Sequence, residues 1–180
     1  MLVAFIYLGK KDYNEEVNHT KDSILMARTF SSLDKNNIFQ IMDNSELINF
    51  LNHGTGVILF CYKEALWCNE YAGILNRVSA LFDLEKIYYY DILEEREANS
   101  YYYQQILNKG KQYLYQSELG KTVLNVPQTY FLKSGELIGQ NNDVAKVVGV
   151  IKPAQYWTVD NIVDLEVKLQ DLLQRLLYNS

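Results

Sequence analysis

The six residues Val57-Ile58-Leu59-Phe60-Cys61-Tyr62 constrain this chain more than any other stretch. They form an unbroken apolar run, rich in strand formers, and Gly54-Thr55-Gly56 leads into them. A run of this length without polar alternation suits a strand covered on both faces, so it predicts a buried central strand. The rest of the chain must then supply cover for two faces. Upstream, residues 38–42 (Ile-Phe-Gln-Ile-Met) predict a short strand. Asp43 with Glu46 three residues on has the reciprocal pattern of a capping box. Leu47, Ile48, Phe50 and Leu51 give the helix that follows an apolar face, and Gly54 stops it.

Downstream of the central run, Tyr71, Ile74, Leu75, Val78, Leu81 and Phe82 recur at three- and four-residue steps, which predicts a helix from Trp67 to about Phe82. Residues 86–92 (Lys-Ile-Tyr-Tyr-Tyr-Asp-Ile) read as another strand. Residues 98–119 read as helical, broken or kinked near Gly110. Two apolar segments, 129–132 and 136–138, flank Lys133-Ser134-Gly135 and predict a hairpin. Ile162, Leu165, Leu169, Leu172, Leu173 and Leu176 share one face of a final helix over 160–177, with Asp164 and Glu166 early and Arg175 late, as the helix dipole prefers. The predicted order is β-α-β-α-β-α-β-β-α. Strands separated by a helix favour a parallel pair with a right-handed crossover. The fold class is therefore α/β, a central mixed sheet with flanking helices.

With 180 residues, of which 48% are hydrophobic, the chain has material for one real core. We divide it into 1–37, an apolar start (Met1 to Leu8) followed by a polar linker or stalk, and a domain over 38–180. The apolar start is too short to span a bilayer by itself, which needs about 20 apolar residues. It reads either as a short strand or as the end of a membrane tether. Both an extracytoplasmic, tethered location and a cytoplasmic one stay open. Asn18-His19-Thr20 fits a glycosylation acceptor.

Composition excludes more than it selects. The net charge is −5 and no Lys/Arg-rich run is present, so a nucleic-acid partner is not expected. Two cysteines and two histidines lack the spacing of a zinc site, and no metal or cofactor is expected. His53 beside Gly54 reads as a helix C-terminal cation, and His19 has no assigned role. No Ser/His/Asp set or phosphate loop appears. Asp91, Glu94, Glu95 and Glu97 read as a solvated acidic face. The tyrosine clusters at 88–90, 101–103 and 113/115 read as packing rather than as a stacking platform, which would come with basic neighbours.

The junction through Lys63-Glu64-Ala65-Leu66-Trp67-Cys68 carries the chemical interest. It takes the central strand directly into a helix, whose N-terminal N–H groups favour a thiolate. Val126-Pro127 lies 59 residues beyond Cys68 (127 − 68), just before the hairpin, and an X–Pro bond there can be cis at modest cost. With this element order, the segment Val57 to Cys68 and the segment Val126 to Gly139 resemble the thioredoxin superfamily. Trp67-Cys68 matches the end of its Cys-x-x-Cys box, and Val126-Pro127 its cis-proline. The chain is most similar in flavour to thioredoxin-like proteins of Gram-positive bacteria, including the bacteriocin transport accessory type, with Glu94 to Gly120 as an insert after the third strand. The segment 151–158 leading into the last helix fits the same group.

That resemblance implies an extended peptide or protein partner held between Trp67 and Val126-Pro127. It also exposes a departure. The attacking cysteine of the box is Ala65 here, and the buried carboxylate of many thioredoxins is Leu59. Exchange chemistry needs an attacking thiolate, so the box is degenerate. Two functions follow as expectations: a redox-inactive binding module, or a monothiol redox protein acting through Cys68 as a candidate catalytic thiol. Cys61 reads as a small apolar residue filling the strand. Pairing with Cys68 is the minor alternative, since it needs Cα atoms within about 7 Å. Trp67 is expected at a partly exposed rim.

Overall fold

The computed structural model describes residues 21–117, 120–147 and 151–178, with the side chains of residues 145 and 146 left aside. The predicted central strand is β2 (Gly56–Cys61), buried at every position. Around it stand β1 (Phe39–Ile41), β3 (Ile87–Asp91), β6 (Gln128–Lys133) and β7 (Glu136–Asn141) in the order β1-β3-β2-β6-β7. The β1–β3 and β2–β3 pairs are parallel, whereas β2–β6 and β6–β7 are antiparallel. The sheet is mixed and the fold is α/β, as the residue pattern predicts.

Helix α2 (Asn44–His53) starts on the expected capping box: Asp43 accepts from the Glu46 N–H and Glu46 accepts from the Asp43 N–H. Helix α3 (Leu66–Ala80) returns from β2 to β3, and α7 (Val159–Tyr178) closes the chain's described part with Leu165, Leu169, Leu172, Leu173 and Leu176 buried. The β6–β7 turn has Ser134 and Gly135 both at positive φ (51° and 79°), the pair of left-handed residues that a tight hairpin requires. The turn also locks onto its neighbours. The Ser134 N–H donates to Thr55 Oγ1 (2.8 Å), the Gly135 N–H to the Gly54 carbonyl (2.8 Å), and Lys109 Nζ to the Gly135 carbonyl (2.9 Å).

Two expectations are corrected. Residues 21–37 are not a stalk: 21–29 form a helix, α1, and Met26, Phe30 and Leu33 are buried in the core. Phe30 packs edge-on against Tyr89 at 5.7 Å, and Asp22 accepts from the Ile41 N–H. Met26, Phe30 and Leu33, at steps of four and three, form a buried stripe that runs from α1 into the turn after it. Met1 to Leu8, expected as a short strand or tether end, and Asn18-His19-Thr20, expected as a glycosylation acceptor, lie outside the described residues. The second correction concerns 98–119. Two helices, α4 (Leu93–Glu97) and α5 (Tyr101–Gly110), are followed by a small hairpin, β4 (Tyr115–Gln116) with β5 (Thr122–Val123). A Cβ at position 110 would overlap the Tyr130 hydroxyl, so glycine is what lets α5 seat on β6 there. A single helical turn, α6 (Pro153–Tyr156), precedes α7.

Candidate functional site at the end of the central strand

The register Phe60↔Gln128 sets the carboxyl end of β2 beside the amino end of β6. Cys61 terminates the first strand and Pro127 precedes the second. The Val126–Pro127 peptide is cis. The antiparallel sheet therefore brings together two sequence features that lie far apart in the chain.

At this end the chain leaves β2 through a turn, with the Ala65 N–H donating to the Tyr62 carbonyl (3.1 Å). Ala65 is the N-cap of α3 and supplies no side-chain cap, so the helix starts on one of the weakest capping residues. Leu66 is 74% exposed, whereas Trp67 and Cys68 turn inward. Cys68 is not a free thiol. It is disulfide-bonded to Cys61 with a Cα–Cα distance of 6.0 Å, and both residues are 0% exposed. This corrects the reading of Cys61 as a simple filling residue. Its side chain lies on the face of β2 that α3 covers, and the first helical turn brings Cys68 down onto it. The usable signal was positional: one cysteine at a strand end, the other in the first turn of the helix that the strand feeds.

Trp67 is not a rim residue either, being only 7% exposed. Tyr156 packs edge-on against it at 5.4 Å and Trp157 lies at 6.4 Å, while Tyr156 and Trp157 meet at 5.0 Å. This aromatic cluster ties α3 to the α6 segment next to Cys68. Burial pushes the Tyr156 hydroxyl pKa up. On the other side of the turn, Arg96 stacks over the Tyr62 ring at 5.0 Å.

Deeper in, Leu59 pairs with Thr129 across the sheet, and no carboxylate stands there. The polar groups nearby are Tyr71, Thr129 and Asn141. Thr129 Oγ1 donates to Tyr71 Oη (2.9 Å), Tyr71 Oη donates to Asn141 Oδ1 (3.0 Å), and Asn141 Nδ2 donates to Asp143 (3.3 Å), which pairs with Lys168 (3.0 Å). Burial drives the Tyr71 pKa far above its ordinary value, against the opposing bond from Thr129. The hydroxyl therefore stays protonated at neutral pH and is no proton acceptor for a thiol. Among the described residues no hydrogen bond reaches the backbone N–H or carbonyl of Val126. No group of His, Cys, Asp and Glu among them could hold a metal ion.

No family model, no curated protein and no solved structure matches this chain. Its reading rests on its own geometry.

Proposed function

We propose that this chain is a thioredoxin-like, redox-inactive binding module that receives an extended segment of a peptide or protein beside Val126 and Pro127. The observation that carries the reading is the Cys61–Cys68 bond, with both residues fully buried and Ala65 where an attacking thiol would stand. Exchange needs an accessible sulfur and an attacking thiolate, and this end of the molecule offers neither. The sheet order, the cis peptide before β6 and the helix leaving β2 support the thioredoxin-like reading. The unbonded backbone of Val126 supports recognition by strand-like hydrogen bonding, and because Val126 (7% exposed) and Pro127 are buried, an incoming segment must first displace what covers them. The alternative, a monothiol protein acting through Cys68, requires that this disulfide first be opened. A buried structural disulfide suits an oxidising compartment, which favours the extracytoplasmic location of the two left open by composition. Among the described residues no helix is long and apolar enough to cross a membrane.

The test is turbidimetric insulin reduction driven by dithiothreitol. The natural chain should not accelerate it. The double variant Ala65→Cys/Cys61→Ser, which restores an attacking thiol three residues ahead of Cys68, should. Acceleration by the natural chain would sink the redox-inactive reading. Failure of the folded double variant would sink the assignment of position 65.

A further inference from the structure

Helix α7 carries two stripes, and the fold uses only one. The inner stripe of leucines is buried against α3, β6 and β7. On the outward side, Val163, Val167, Gln170, Gln174 and Leu177 follow one another at steps of four, three, four and three. That alternation is the a/d seam of a helix built to pack against another helix. The preceding seam position, three residues before Val163, is Asp160, and Val159 lies beside it at the seam's edge. The valines are exposed, Val159 at 76%, Val163 at 49% and Val167 at 58%. From Val163 to Leu177 no charged residue interrupts the seam. An outward helix face with no packing role is ordinarily filled with charged side chains, and valine is a poorer helix former than the lysine or glutamate that would serve there.

The flank of this seam states what sits on it. Asp160, Asp164 and Asp171 border it on one side. Asp171 is paired with Arg175, and Lys168 on the same side is paired with Asp143. Asp160 and Asp164 are exposed and make no ion pair among the described residues, Asp164 sharing only the field of Lys168 one turn on. Pairing with a second copy would set the row Asp164–Asp171 against itself in one direction, and against Glu166 in the other. Like charges bordering a helical seam select against such a pairing.

We infer that the outer face of α7 is a docking surface for an amphipathic helix of another protein, with apolar and carboxamide residues in its seam and lysine or arginine along the border facing Asp160 and Asp164. The seam supplies apolar contact and two amide layers that fix register. The aspartates select the cationic partner. This surface is separate from the cis-proline end and does not depend on its reading.

The test uses a fluorescein-labelled three-heptad helical peptide with leucine at a and d, one Gln layer, and lysine at e and g. Its anisotropy is titrated with the full chain. Saturable binding is expected, weakened by added salt. A twin peptide with glutamate at e and g should bind at least about tenfold more weakly. The double variant Val163→Asp/Val167→Asp should lose binding. Asp160→Asn/Asp164→Asn, which leaves the apolar seam intact, should narrow the difference between the two peptides. Equal binding of both peptides, absence of saturation, or unchanged affinity in a folded V163D/V167D variant would overturn the proposal. A dimer in sedimentation that dissociates in V163D/V167D would overturn it in favour of self-association.

Discussion

The two faces of the central sheet combine directed bonds and ring packing in different proportions, and only the first carries a covalent link. On one, Val57, Leu59, Cys61, Tyr89, Thr129 and Phe131 meet α1, α3 and α7, and the contact includes directed bonds: a disulfide, and a chain of hydrogen bonds from Thr129 through Tyr71 to Asn141. On the other, Ile58 and the rings of Phe60, Tyr88, Tyr90 and Tyr130 form a layer under α2 and α5, held to those helices by Tyr90 Oη donating to Asn44 Oδ1 (2.6 Å) and Tyr130 Oη donating to the Ile106 carbonyl (3.2 Å). Phe60 lies 5.0 Å from Tyr130 and 6.3 Å from Tyr90, and Phe50 lies 4.6 Å from Tyr88. The candidate site lies at the end of the first face. Directed bonds there hold one angle between α3 and β2, which keeps Ala65 and Trp67 fixed relative to Pro127. Ring packing on the second face supplies bulk burial, with α5 seated closely on Tyr130 at Gly110.

The largest effect that can break this comparison is Phe60→Ala. Truncating a fully buried aromatic ring costs about 3–5 kcal/mol, and urea unfolding should show a greater loss than Leu59→Ala on the opposite side of the same strand. An equal or smaller loss would mean that the ring face is not the main store of burial. Next comes the disulfide. Replacing both cysteines by alanine should cost about 2–3 kcal/mol, mostly by freeing the short loop in the unfolded chain. If the first face depends on this staple for its geometry, amide exchange in the first turn of α3 should quicken more than exchange in α5. Uniform quickening would contradict that.

The mildest probe is Tyr71→Phe. It removes the donor to Asn141 Oδ1 and the acceptor of Thr129, at about 1–3 kcal/mol. Its pH signature is separable. Burial raises the pKa of Tyr71 and Tyr89 on one face and of Tyr90 and Tyr130 on the other. A phenol whose folded pKa is raised gives stability that is fully present below the ordinary tyrosine value of about 10, and lost as pH rises toward the folded value. Stability should therefore fall above about pH 10, and less steeply in Tyr71→Phe than in the natural chain. An identical slope would show that Tyr71 ionises no differently in the folded and unfolded states.

Much of this architecture was legible where the signal was local. The unbroken run at 57–62, the Asp43/Glu46 cap, the Ser134-Gly135 turn and the leucine stripe of α7 each state their structure within a few residues. What stayed hidden depended on partners distant in sequence. Trp67 is buried because Tyr156 and Trp157, some 89 residues on (156 − 67), cover it. α5 ends at Gly110, against the Tyr130 ring. Cys61 and Cys68 looked like separate residues because periodicity reports burial and cannot report the angle at which a helix leaves a strand. Of Met26, Phe30 and Leu33 only Met26 lies within α1, so their buried stripe crosses the helix end and shows no helical period, and Phe30 is placed by the distant ring of Tyr89.

The strand order carries a consequence for synthesis on the ribosome. β2 sits in the middle of the sheet, yet its neighbour on one side, β6, begins 67 residues after β2 ends (128 − 61). Until that length of chain has been made, the most apolar strand of the protein has a bare hydrogen-bonding edge. Such edges are templates for pairing with other chains. The interval between completing β2 and delivering β6 is then the period when the nascent protein most needs shelter, and slowing translation between these strands should lower the soluble yield.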